Sequence, residues 1–95
     1  MIQRHVFVSG RVQGVGFRNW LKKQVLASPE VRGYVRNLSD GRVEAVFSGC
    51  EQDVLGLVSK CSVGPPVGHV ISLEVKEEEC TYEVFKPEFL VLKTS

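Results

Sequence analysis

Ninety-five residues suit one domain, taken as residues 1–95, which at this length buries roughly two-thirds of the surface its unfolded chain exposes. With 43% hydrophobic and 24% charged residues the composition is that of a globular protein, and no apolar run approaches the ~20 residues of a membrane span. Twelve Lys and Arg against eleven Asp and Glu leave a formal charge of +1, which excludes strong whole-molecule attraction to nucleic acid or an anionic membrane and requires any anion site to be local.

The first strand is predicted at His5–Val8, a short β-branched and aromatic run that ends at Ser9-Gly10. A helix follows over Phe17–Ala27: Phe17, Leu21, Val25 and either Trp20 or Ala27 recur at helical spacing, and Pro29 bars continuation. Val31–Asn37 and Arg42–Ser48 read as two strands joined by Leu38-Ser39-Asp40-Gly41, whose Asp-Gly suits a hairpin turn. Glu51–Cys61 carries Val54, Leu57, Val58 and Cys61 on one helical face, Val70–Val75 is a fourth strand, and Phe89–Leu92 a short edge strand after Pro87. The order strand, helix, strand, strand, helix, strand predicts an α+β, ferredoxin-like βαββαβ sandwich: an antiparallel sheet with both helices on one face.

The N-terminus, MIQRHVFVSG, lacks the apolar core of a secretory signal, so a cytoplasmic location is expected. Cys50, Cys61 and Cys80 form no C-x-x-C pair, and with only His5 and His69 beside them zinc-ligand spacing is absent; the cysteines read as small buried apolar groups. A small domain without a second apolar face is expected to be a monomer.

Most of the chemistry concentrates between the first strand and first helix, in Gly10-Arg-Val-Gln-Gly-Val-Gly-Phe-Arg-Asn19. A helix start exposes unsatisfied N–H groups and the positive end of its dipole. Gly14 and Gly16 permit positive φ, so the backbone N–H groups of Gln13, Gly14, Val15, Gly16, Phe17 and Arg18 can turn inward around a tetrahedral oxyanion, with the Arg18 guanidinium as a planar fork for two of its oxygens. A plain tight turn with a solvated Arg18 is the alternative, and neither the dinucleotide fingerprint nor a P-loop is present.

Two longer patterns bear on that choice. Val8-Ser-Gly-Arg-Val-Gln-Gly-Val-Gly-Phe-Arg18 resembles the first signature of the acylphosphatase family, V-x-G-x-V-Q-G-V-x-F-R. The stretch from Gly33 through Asn37, Gly41 and Val43 to Gly49 resembles its second, G-[aromatic]-V-[basic]-N-x-x-x-G-x-V-x-x-x-x-x-G. The resemblance spans essentially the whole chain, with Gly68-His69 standing where a small residue and Arg are common. It implies the ferredoxin-like fold and hydrolysis of an acyl phosphate to a carboxylate and inorganic phosphate, with no metal and no cofactor. Arg18 and the 13–18 backbone would bind the phosphoryl group, and Asn37, which alone reads as a turn-capping residue, would position the attacking water.

The residue chemistry suits that reaction. The leaving carboxylate has a conjugate acid of pKa roughly 4–5 and departs without a proton, so the lack of an evident general base is tolerable. His5, His69 and Cys50 are assigned no catalytic role. Two other readings follow from the same element order: an RNA-binding module and a non-catalytic phosphate-binding domain. Arg32-Gly33-Tyr34 imitates the start of an RNA-recognition motif, but Val35, Arg36 and Asn37 break it and leave no second stacking aromatic.

Overall fold

The computed structural model describes residues 1–95. Its elements run β1 (Ile2–Arg11), α1 (Phe17–Val25), β2 (Arg32–Asn37), β3 (Val43–Gly49), α2 (Glu51–Cys61), β4 (His69–Glu78), a 3-10 turn (Tyr82–Val84) and β5 (Leu90–Val91). The sheet order is β4-β1-β3-β2-β5. Because β3 is antiparallel to both β1 and β2, the β1-α1-β2 crossover joins parallel strands with β3 between them; β3-α2-β4 does the same around β1. That interleaving is the expected ferredoxin-like sandwich. The edge strand expected near Phe89–Leu92 pairs in parallel with β2, through Tyr34 opposite Leu90 and Val35 opposite Val91.

Alternation along each strand decides which face the helices cover. Val6 and Val8 of β1, Val35 of β2 and Val43, Ala45 and Phe47 of β3 lie on one face, fully buried with Leu21 of α1 and Val54 and Cys61 of α2. The opposite register positions His5, Phe7, Tyr34, Arg36 and Glu44 form the face without helices. No helix is long and apolar enough to cross a membrane.

Pairing on both flanks lengthens β1 beyond the expected His5–Val8, since β3 and β4 recruit polar residues such as Gln3 and Ser9 into the ladder. β4 lengthens likewise, and His69, expected in a loop, is its first residue. The first helix is shorter than expected. It ends at Val25, and the chain continues through tighter turns in which Ala27 N–H donates to Gln24 O (3.2 Å) and Ser28 N–H to Val25 O (2.8 Å). Of the cysteines only Cys61 is buried; Cys50, at the cap of α2, and Cys80, beyond β4, are exposed because neither lies on a core-facing position.

Candidate active site

At the C-terminal end of β1 the chain must turn back over the sheet to begin α1, and it does so through two left-handed glycines, Gly14 and Gly16, each with φ of 76°. Neither has an atom near the place a side chain would occupy, so conformation rather than crowding explains both. Between and around them the apolar residues point inward: Val12 and Phe17 are buried, Val15 packs against the core, and Phe17 meets Trp20 edge to face with ring centroids 5.3 Å apart. This alternation anchors the turn from below while Gly14 and Gly16 stay exposed.

Gly16 caps α1 without any side-chain hydrogen bond, and the first turn of the helix holds no acidic residue. The opening amides of α1 therefore keep the helix's positive end unneutralised by the chain itself. Arg18, half-buried in that first turn, donates from Nη1 to the carbonyl oxygen of Leu92 at 2.9 Å, which fixes the guanidinium while leaving further donors free.

These groups line an open cleft of about 320 Å³. Val12, Gly14, Gly16, Phe17, Arg18 and Asn19 line it from the glycine loop and α1, Asn37 from the end of β2, and Val91, Leu92 and Lys93 form a third wall. None of the lining residues is acidic. Arg18 and Asn37, nineteen positions apart in the sequence, are thus brought to one cleft, together with the glycine backbone expected to cradle an anion. Gln13 and Val15 lie on the same loop but do not line the cleft.

Gln13 has a part that sequence reasoning did not find. Its side-chain amide reaches across to the β2–β3 turn and donates to Leu38 O (2.7 Å) and Arg42 O (2.9 Å). One side chain therefore ties the glycine loop to the hairpin that carries Asn37. The C-terminal segment was missed as well: Leu92 N–H donates to Val35 O and Ser95 N–H to Asn37 O, both at 2.9 Å, so residues 92–95 run along the end of β2 beside the cleft. The only available signal was the predicted edge strand over Phe89–Leu92, which gave no partner.

The groups set aside as catalysts lie elsewhere. His5 sits on the helix-free face between two carboxylates, with Nε2 2.7 Å from Glu44 and Nδ1 2.8 Å from Glu78. Burial pushes the Cys61 thiol up to about 12, which keeps it a protonated core group. No three His, Cys, Asp or Glu side chains are grouped to hold a metal ion.

Known proteins converge on one family. The acylphosphatase family model matches residues 4–89. An acylphosphatase from Chloroflexus aurantiacus is 49% identical over 81 residues, covering 85% of this chain and 87% of its own. One from Pyrobaculum arsenaticum is 44% identical over 95 residues, covering 99% and 97%. The crystal structure of the acylphosphatase from Bacillus subtilis superposes with a TM-score of 0.86 at 33% identity, over 97% of this chain and 99% of that one. With the signatures at Val8–Arg18 and Gly33–Gly49 inside the matched region, the chain belongs to the acylphosphatase family.

Proposed function

We propose that the protein hydrolyses acyl phosphates to a carboxylate and inorganic phosphate, with Arg18 and the backbone amides of the Gln13–Arg18 loop holding the phosphoryl group and Asn37 positioning the water. The observation that carries this division of roles is the cleft itself, whose lining brings a glycine-rich helix start, its single arginine and the strand-end Asn37 together with no acidic side chain among them.

A phosphoryl group seated against the start of α1 places its oxygens among N–H dipoles and the Arg18 fork, which are fixed before the reaction begins. Water held by the Asn37 amide attacks phosphorus in line with the acyl oxygen. The bond from phosphorus to that oxygen breaks, its electron pair leaves with the carboxylate, and the proton of the water passes to phosphate or solvent. In a loose, metaphosphate-like transition state the protein supplies mainly orientation and charge neutralisation. An amide orients water with little activation, so the arrangement suits a good leaving group such as a carboxylate and serves a phosphate monoester poorly.

On this reading the protein works as a single 1–95 unit and a monomer, in the cytoplasm, on a small anion and without nucleic acid. The test is release of phosphate from benzoyl phosphate with EDTA present, where turnover at the uncatalysed rate would refute the reading. Arg18→Ala is expected to lose about a thousandfold in kcat/KM together with phosphate inhibition. Asn37→Ala is expected to lose about a hundredfold in kcat while phosphate still inhibits, the signature of a group that acts on the water rather than the phosphoryl group. Full activity of Asn37→Ala would remove it from the mechanism.

A further inference from the structure

The third wall of the cleft has a charge that phosphoryl binding does not use. Lys93 lines it, one residue beyond the carbonyl that holds Arg18. Its main chain is pinned on both sides: Leu92 N–H donates to Val35 O and Ser95 N–H to Asn37 O, each at 2.9 Å. The lysine thus emerges from fixed backbone next to Asn37. Its ammonium takes part in none of the protein's eight ion pairs. Lys22, by contrast, is engaged by Glu88 and by the carbonyl of Phe89.

In the proposed mechanism Arg18 and the loop amides already match the phosphoryl charge at the α1 wall. Lys93, a second cation on the lining with no acidic neighbour there, has no counter-charge within the protein. We infer that Lys93 is a specificity-determining residue that favours acyl phosphates whose acyl group carries a further negative charge, a carboxylate or second phosphate, at its far end. This rests on the cleft being the acyl phosphate site. A flexible ammonium is a point charge that reaches anions at a range of distances, so the selection is for charge rather than for one chain length.

The experiment compares kcat/KM for 4-carboxybenzoyl phosphate with that for its neutral 4-methoxycarbonyl analogue in wild type, Lys93→Gln, Lys93→Arg and Lys93→Glu, so that the intrinsic difference in reactivity between the two substrates cancels when their ratio is compared among variants. The preference for the anionic substrate should fall about three- to fivefold in Lys93→Gln, the scale of an exposed ion pair, persist in Lys93→Arg and fall further in Lys93→Glu. A ratio unchanged in Lys93→Gln overturns the inference, as does an equal loss on both substrates, which would place Lys93 at the phosphoryl group. Dissociation constants for the corresponding benzoylphosphonates, which cannot be hydrolysed, read the same ratio without turnover. Absence of hydrolysis would therefore refute the proposed function while the phosphonate ratio still decides the role of Lys93.

Discussion

Two turns in this molecule are built from similar parts and use them in opposite ways. The hairpin turn from Leu38 to Arg42 and the loop from Val12 to Gly16 both contain left-handed glycine, Gly41 at φ 97° in the first and Gly14 and Gly16 in the second, and both have an arginine alongside. In the hairpin the turn's carboxylate and its arginine answer each other locally. Asp40 accepts from the Arg42 backbone N–H (3.0 Å) and from its Nε (2.8 Å), while Leu38 and Arg42 close the ladder through Leu38 N–H to Arg42 O at 2.8 Å. The glycine loop has no carboxylate, and Arg18 reaches only a neutral carbonyl. A turn that contains its own anion is finished; one that lacks it is arranged for an anion from outside.

The comparison breaks most sharply at the glycines. An alanine in a left-handed position costs about 1–2 kcal/mol, so Gly16→Ala and Gly41→Ala should lower stability similarly in chemical denaturation. Only Gly16→Ala should affect turnover, by about a hundredfold, because it shifts the amides that face the substrate. Equal activity in the two variants would mean that the loop's backbone geometry has no part in catalysis.

Gln13 joins the two turns, and removing it tests whether they act together. Gln13→Ala deletes two hydrogen bonds to the hairpin carbonyls, a loss of about 1–3 kcal/mol, and frees the glycine loop from the element that carries Asn37. The expected result is about a tenfold fall in kcat/KM, since neither chemical group is lost and only their mutual placement loosens. A variant less stable but as active as wild type would show that the tie is structural alone.

Giving the glycine loop an anion of its own should make it resemble the hairpin. Asn19 lines the cleft in the first turn of α1, where a carboxylate interacts favourably with the helix dipole. Asn19→Asp should therefore raise stability by about 0.3–1 kcal/mol. The same charge should weaken phosphate inhibition about fivefold, as an exposed like charge close to the anion does. Gain in thermal stability with loss of phosphate affinity is the outcome that distinguishes an anion site from an ordinary helix start; unchanged inhibition would count against it.

How much of this was readable beforehand follows the range of the interactions involved. The element order, the Glu51–Cys61 helix and the glycine loop depend on local periodicity and turn chemistry, and each is where the residues predicted. Arg18 and Asn37 were legible because each falls in a signature, although only the sheet register brings them to one cleft. Gln13 was expected to act through its backbone, since nothing in its neighbours reveals that its side chain spans to Leu38 and Arg42. The position of Lys93 depends on β5 adding to β2 from the far end of the chain, and the bridging of His5 by Glu44 and Glu78 on three-strand register, through Phe7 opposite Glu44 and Gln3 opposite Glu78. Long-range pairing of this kind leaves no periodic trace in a sequence.

The smallest effect belongs to the hairpin's own anion. Hydrogen bonds from the Arg42 backbone N–H, and then from its guanidinium, hold the Asp40 carboxyl below the usual aspartate value. A carboxylate depressed in the folded state contributes stability above its unfolded pKa of about 3.9, and that contribution is lost as pH falls through the lower folded value. In Asp40→Asn the corresponding slope of stability against pH in that acid range should be shallower, by an amount limited because the group is exposed and solvent-screened. Phosphate affinity and turnover near neutral pH should be unchanged, because the Asp40 charge is paired with Arg42 and neither residue lines the cleft. If Asp40→Asn weakened phosphate binding, the two turns would share one electrostatic field and their contrast would fail at its weakest point.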